Sequence, residues 1–172
     1  MDAGIKVILI AAMAKNSRVI GREGKVPWNL SDDLKAFKKL TLGKTVIVGR
    51  KTQDSIIARL GHPLSNRRTI VLTRDKNYQC QDCDTASSWA EALKLAKNEK
   101  EVFVLGGSEV YKLALPYADT MYLTIVEANP QGDAYFPGFN SSEWDRRLEE
   151  RHQQDEKNEY EFSRWMLTRK NK

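Results

Sequence analysis

The 172-residue sequence predicts a single α/β domain: a central, mostly parallel β-sheet flanked by helices, with a C-terminal antiparallel hairpin on its edge. Three observations point to that class. Five short runs rich in β-branched residues are almost continuously apolar, the pattern of strands covered on both faces. Helical patterns separate them, and strand–helix alternation implies parallel pairing through right-handed crossovers. From residue 144 onward the rhythm changes, and "YEFSRWMLT" at 160–168 alternates as an edge strand does.

The strand candidates are 5–12 "IKVILIAA", 45–49 "TVIVG", 69–73 "TIVLT", 101–105 "EVFVL" and 121–126 "MYLTIV". A first helix is expected over 31–41 with Ser31 as its N-cap, and a second over 51–60. A third spans 88–98, where Ser88 and Glu91 have the spacing of a capping box. The last, 108–115, starts after Gly-Gly and stops at Pro116. No linker, repeat or low-complexity stretch divides the chain, so residues 1–172 form one domain. The N-terminal "KVILIAAMAK" has some features of a signal peptide, but its apolar run is too short for a membrane span. A buried first strand accounts for it equally well.

The formal charge is +5 and the pI near 9.2, which favours anionic ligands. The basic residues are interleaved with 23 acids, so no continuous nucleic-acid face is expected. Cys80 and Cys83 form one C-x-x-C in a polar loop, and the only histidines, His62 and His152, lie far from it in sequence. A structural zinc site needs more ligands than that, so no metal is expected. Free or casually oxidised thiols in a reducing cytoplasm fit this usage.

One helix carries an anomaly. In "PWNLSDDLKAFKKL" at 27–40, helical winding gathers Leu34, Phe37 and Leu40 on one side. Asp32 falls opposite them, beside Lys35 and Lys39, where a charge is ordinary. Asp33 falls inside the apolar stripe. A carboxylate aimed at a core costs several kcal/mol unless something pairs with it.

Three strand ends suggest where an anion would sit. "VLGGSEVY" at 104–111 puts two glycines between a strand and a helix, letting a phosphate approach the backbone amides. "VIVGRKT" at 46–52 gives a second turn with Arg50 and Lys51 beyond it, and Thr52 is placed to cap the next helix. "IVLTRD" at 70–75 ends a third strand at Thr73 and Arg74. Carboxyl ends of parallel strands are the usual ligand rim of an open α/β sheet. The full G-x-G-x-x-G dinucleotide fingerprint is absent.

Taken together, "ILIAAM", "VIGREGKVPWNLSDDLKAFKKLT", "VIVGRKT", "PLSNRRTIVLTR", "VFVLGGSEVY" and "GDAYFP" resemble, in order and spacing, the dihydrofolate reductases. The resemblance runs from about residue 5 to 168. It implies NADPH-dependent reduction of 7,8-dihydrofolate to tetrahydrofolate, with hydride reaching pterin C6 and a proton N5. That reaction supports one-carbon metabolism and thymidylate synthesis and is an antifolate target. It also implies that "IAA" lines the active site rather than a cleaved leader, which suits a cytoplasmic monomer with no membrane or nucleic-acid partner.

Residue by residue, the resemblance makes Asp33 the pterin-binding carboxylate, whose two oxygens accept a ring N–H and an exocyclic amine in parallel. Desolvation should raise its pKa in the empty pocket. Thr124 would hydrogen-bond Asp33, and Trp28 would hold a water near it. Ile10 and Leu105 would offer backbone carbonyls to the pterin amine. Leu34, Phe37, Ile56 and Leu64 would enclose the rings, and Arg67 would clamp the carboxylate of the glutamate tail. For the cofactor, Ala12, Ile20 and Gly21 would meet the nicotinamide. Thr52 with Gly106, Gly107, Ser108 and Glu109 would hold the pyrophosphate at two helix N-termini. Arg50, Thr73 and Arg74 would surround the adenosine 2′-phosphate, which favours NADPH over NADH, and Lys51, Leu72, Val110 and Tyr111 would also border the cofactor. The resemblance also implies a cis Gly106–Gly107 peptide and a mobile loop at 16–28 that closes over the nicotinamide.

Val26, the six-residue connection "IARLGH" at 57–62 and the C-x-x-C loop depart from the commoner pattern. Two other functions are weighed. A same-fold reductase of the riboflavin pathway would explain the Gly-Gly turn but not an aspartate on an apolar helix face after Pro-Trp. A basic nucleic-acid-binding module would explain only the charge.

Overall fold

The first apolar run folds into β1 (Lys6–Ala14), and its neighbours on both sides are parallel strands drawn from later in the chain. The structure, a computed structural model, describes residues 4–170. After β1 come β2 (Val19–Gly21), α1 (Ser31–Thr41), β3 (Thr45–Gly49), α2 (Arg50–Leu60), β4 (Arg68–Leu72) and β5 (Asp84–Ala86). Then follow α3 (Trp89–Leu95), β6 (Glu101–Gly106), α4 (Ser108–Ala114), β7 (Thr120–Val126), β8 (Ala134–Tyr135), β9 (Trp144–His152) and β10 (Phe162–Arg169).

Eight strands form one sheet in the order β5-β4-β3-β6-β1-β7-β10-β9. From β5 to β7 every pairing is parallel; β10 runs antiparallel to both β7 and β9, which is the expected edge hairpin. Side chains alternate across this sheet. Val7, Leu9, Ala11, Val104 and Leu123 point into the main core, with Trp89 and Ala92 of α3 and Tyr111 and Ala114 of α4. Ile8, Ile10, Val46 and Phe103 point the other way, onto Phe37 and Leu40 of α1. Because both faces are covered, the central strands need apolar residues at every position. Edge strand β9, "WDRRLEERH", is charged and mostly exposed, which discourages pairing with another sheet.

Several helix ends differ from expectation. The N-cap of α1 is Leu30, with no side-chain cap; Ser31 is already helical. Its first amides are satisfied by distant groups: Ser31 N–H donates to the Lys157 carbonyl (3.0 Å) and Asp32 N–H to Asn158 Oδ1 (3.1 Å). A tertiary partner therefore does the work that local sequence suggested for serine. Helix α2 begins at Arg50 behind Gly49, so Thr52 lies within its first turn and does not cap it. Helix α3 does start at Ser88, whose Oγ accepts from Glu91 N–H (3.1 Å), but it ends at Leu95. The Glu91 carboxylate accepts from Ser87 N–H and hydroxyl rather than from Ser88 N–H. Helix α4 gives way to a 3₁₀ turn, Leu115–Tyr117, that contains Pro116. Cys80 and Cys83 are joined as a disulfide, the oxidised of the two forms expected. No helix among the described residues is long and apolar enough to cross a membrane.

Candidate active site

Asp33 sits in the first turn of α1, with its side chain against β7 and β10. Its side chain is 17% exposed. Thr124 Oγ1 on β7 donates to Asp33 Oδ1 at 2.6 Å, the bond expected from the resemblance. Arg164 Nη1 on β10 reaches the same oxygen at 3.4 Å. Both contacts fall on Oδ1, which leaves Oδ2 without a donor among the described residues. Desolvation raises the Asp33 pKa above the ordinary aspartate value; the Thr124 hydrogen bond and the Arg164 charge oppose the rise without cancelling it.

Asp32 behaves differently from its expected place on a solvated face. Its carboxylate accepts from Asn158 Nδ2 (2.7 Å), and His152 Nε2 lies 2.9 Å away. Asn158 is fully buried and also donates to Asp155 Oδ1 (2.9 Å). Lys35 is near but loosely placed, at 3.9 Å. The residue fastens the 155–158 turn to the start of α1. The helical wheel missed this because that turn comes 126 residues later.

Two strand carbonyls share one buried hydroxyl. Tyr111, buried in α4, brings its hydroxyl within 2.7 Å of the Ile10 carbonyl and 2.9 Å of the Leu105 carbonyl. Burial raises the Tyr111 pKa strongly, so the phenol is neutral and one O–H is shared between two acceptors. Each carbonyl keeps lone-pair capacity for a further donor. Tyr111 thus lies behind the Ile10 and Leu105 carbonyls. Phe37 is half-buried against Ile8, Ile10, Val46 and Phe103, whereas Leu34 is 55% exposed. Ile56 on α2 and Leu64 beyond it are half-buried. Arg67 Nε donates to Thr41 Oγ1 (2.9 Å) and Nη1 to the Ser65 carbonyl (2.8 Å), with its guanidinium carbon 5.8 Å from the Phe37 ring centre. Trp28 is buried with Leu30, Val126 and Phe162.

The two Gly turns meet. A Cβ on Gly49 would lie 3.0 Å from Val110 and 3.6 Å from the Gly106 carbonyl; Gly106 has φ +108° with the Tyr111 ring where its Cβ would be. Only glycine lets the strand ends β3 and β6 approach this closely. The Gly106–Gly107 peptide is cis, as expected. A Cβ on Gly107 would come within 3.2 Å of Thr52 Oγ1, so the first turns of α2 and α4 border one narrow cradle. The Ser108 hydroxyl is tied to Tyr135, donating to its carbonyl (2.8 Å) and accepting from its N–H (3.0 Å). Glu109 is exposed, Val110 and Leu72 are buried, and Lys51 and Arg74 are exposed. Arg50 pairs with Asp54 (3.4 Å), which accepts from the Tyr78 hydroxyl (2.8 Å). Thr73 accepts from Asp75 N–H (3.1 Å).

Ala12 lies near the end of β1 and Ile20 and Gly21 in β2, which pairs with β8. The stretch expected to be a mobile loop is tied down at several points, the Arg18 and Gly21 carbonyls accepting from Phe136 and Asp133 N–H (2.9 and 3.0 Å). Glu23 N–H donates to Asp133 (3.0 Å), and Ser55 Oγ of α2 donates to the Gly24 carbonyl (2.6 Å). A separate cavity of about 400 Å³ lies on the opposite sheet face, lined by Met13, Leu123, Trp144 and Trp165. Strand alternation turns it away from Thr124 and Asp33.

Sequence reasoning missed Arg164, Glu150, Asn158, His152, Ser55 and Asp133. Only Arg164 carried a signal: a charge between Phe162 and Trp165 in an apolar, alternating strand.

Comparisons with known proteins agree with this geometry. Residues 6–169 match the family model for dihydrofolate reductase. A dihydrofolate reductase of Staphylococcus haemolyticus is 42% identical over 158 residues, 92% of each chain. One from Bacillus subtilis (strain 168) is 39% identical over 165 residues, 96% of this chain and 95% of the other. The solved dihydrofolate reductase from Enterococcus faecalis, complexed with NADP(H) and RAB-propyl, superposes with a TM-score of 0.88 at 34% identity. That alignment covers 96% of this chain and 97% of the neighbour. A carboxylate on an apolar helix face, two abutting glycine turns and a match along nearly the whole length have one explanation: the chain belongs to the dihydrofolate reductase family.

Proposed function

We propose that the protein reduces 7,8-dihydrofolate to 5,6,7,8-tetrahydrofolate with NADPH, supplying one-carbon metabolism and thymidylate synthesis. The observation that carries this reading is the Asp33 carboxylate, largely buried in α1 with Oδ2 open. A pterin offers that carboxylate two parallel N–H donors, and the Ile10 and Leu105 carbonyls suit the same ring's amine side. Phe37 and Ile56 supply apolar walls, and Arg67 supplies a guanidinium suited to clamping a glutamate carboxylate.

The cradle between Gly107 and Thr52 fits a pyrophosphate, since a Cβ on Gly107 would fill it. Arg74 and Thr73 with Arg50 supply cationic and hydroxyl groups for a 2′-phosphate, and Ala12, Ile20 and Gly21 would meet the nicotinamide. When bound, NADPH supplies the hydride. Everything else falls to the chain: Asp33 orients the pterin and favours its protonated form, and Phe37 and the pinned 16–28 segment exclude water. No side chain acts as a covalent nucleophile. We place the enzyme in the cytoplasm as a single-domain monomer without a nucleic-acid partner, a reading supported by its interleaved surface charges.

The test is the loss of NADPH absorbance when dihydrofolate is added to the purified chain. Turnover with a pyrimidine ribityl phosphate, or only salt-sensitive retention on DNA, would overturn the reading. The chemical step should slow as pH rises and the protonated pterin becomes scarce; a flat single-turnover profile contradicts that role for Asp33.

A further inference from the structure

Arg164 occupies a position that neither an apolar strand nor a simple ion pair explains. It faces Thr124 of β7 on one side and Glu150 of β9 on the other as register partners, so the three side chains stand in a row across three strands. That row meets the first turn of α1 at Asp33. The β9–β10 register shifts at Arg164/Trp165, where Glu150 pairs with Arg164 but Leu148 with Trp165. Bulges of this kind re-aim side chains beside active sites. The Arg164 side chain is 13% exposed, and its two terminal nitrogens divide their contacts. Nη2 bonds Glu150, and Nη1 reaches Asp33 Oδ1 at 3.4 Å.

We propose that Arg164 is a positioning residue for the pterin-binding carboxylate: shared between Glu150 and Asp33, it holds Asp33 ionised with Oδ2 turned to the cleft, and Glu150 sets how much of its charge Asp33 receives. The catalytic consequence rests on the reductase reading; the electrostatic relation does not. The charged groups around Asp33 are few. Strand β10 contributes Arg164, β9 contributes Glu150, and β7 contributes the neutral Thr124. On its own helix, Asp32 is engaged with His152 and Asn158. Arg164 is therefore the one cation in contact with Asp33 among the described residues. Buried arginines of this kind need a second acceptor, and Glu150, 41% exposed, supplies it while keeping one end of the row in water.

The arrangement makes two predictions of opposite sign. Removing Arg164 deprives Asp33 of its counter-charge, so Asp33 should protonate at higher pH. Neutralising Glu150 releases Arg164 to Asp33 alone and removes a nearby negative charge, so Asp33 should protonate at lower pH. The measurement is a ¹³C carboxyl NMR titration of ligand-free enzyme, with the Asp33 signal assigned by its loss in Asp33→Asn. Arg164→Met should raise the midpoint by about 1 pH unit or more, Arg164→Lys should restore most of it, and Glu150→Gln should lower it. The acid limb of kcat/KM for dihydrofolate should move with each midpoint. An unchanged midpoint in Arg164→Met, or a rise in Glu150→Gln, overturns the proposal even in a fully active enzyme. Absent reductase activity with the midpoints shifting as stated would instead overturn the functional reading. If Arg164→Met does not fold, the direction in Glu150→Gln still decides.

Discussion

Asp32 and Asp33 are neighbours in sequence, share one helical turn and carry the same group, yet the fold uses them for different ends. The partners of Asp32 come from the chain itself: Asn158 Nδ2 at 2.7 Å and His152 Nε2 at 2.9 Å, with its own N–H bonded to Asn158. Asp33 has Thr124 and Arg164 on one oxygen and nothing on the other among the described residues. One carboxylate is complete in the empty protein and contributes to holding it folded. The other is held short of partners, a state suited to a flat heterocycle with two donors. An incompletely paired buried carboxylate destabilises the fold that holds it, and sites are where proteins tolerate this.

The contrast is broken most directly by exchanging each oxygen for an amide. Asp33→Asn should fold normally and lose at least about a hundred-fold in turnover, since an amide repels one of the two donors it must accept. Asp32→Asn should stay within about three-fold of the parent, because its partners lie outside the cleft. Steady-state assays of the pair under one condition suffice, and equal losses would erase the distinction. The second-largest effect belongs to the structural side. Asn158→Ala removes one side-chain amide from Asp32, Asp155 and the Asp32 N–H at once; His152 stays beside Asp32 and two backbone donors stay on Asp155, so the cost should be about 1–3 kcal/mol. That loss would be read as a lower urea midpoint at unchanged slope. A midpoint within error of the parent would show that water replaces the amide freely.

Much of this was legible from the chain, for reasons that divide along the same line. The sheet could be read because continuous β-branched runs need cover on both faces, and that pattern is local. Asp33 stood out because a helical wheel is local too. Asp32 was misread because its partners lie 126 residues away, and no periodicity reports such a distance. The cap of α1 failed in the same way: Ser31 looked sufficient, but Lys157 and Asn158 satisfy the amides instead. The neighbours Thr124 and Arg164 differ in the same respect. Thr124 came from the family resemblance, whereas Arg164 needed the register of β10 against β7 and β9.

Ionisation sharpens the comparison further. The Asp33 pKa is raised chiefly by burial, so the folded protein holds that proton more tightly than the unfolded chain does. The group's contribution to stability is therefore present at low pH and lost as pH rises through the folded-state pKa, leaving a penalty at neutral pH. Ligand-free Asp33→Asn should accordingly melt no lower than the parent at neutral pH, and higher if the amide keeps the Thr124 bond. Folate at a hundred times its Kd should stabilise the parent by about 2.7 kcal/mol and the variant far less. A variant that melts well below the parent when empty would mean that Asp33 is a structural residue like its neighbour.

The smallest effect tests the structural partner itself. The His152 pKa is raised, first by the backbone hydrogen bond to Gln153; desolvation opposes the rise, and the charges of Asp32, Asp155 and Glu150 add to it. A histidine with a raised folded-state pKa adds stability that is complete below its unfolded value, about 6.5. That addition is lost as pH rises through the folded value. The parent should therefore lose part of its melting temperature across this window, and His152→Gln should be flatter because glutamine never carries the charge. The imidazole ring stacks on Phe162 with centres 5.4 Å apart, so some loss in the variant persists at all pH values from packing alone. Only the pH-dependent part measures the charge-dependent contacts, those with Gln153, Asp32, Asp155 and Glu150 together. A deficit of the same size at pH 6 and pH 9, to within about a degree, would assign His152 to packing and leave Asn158 as the partner that completes Asp32.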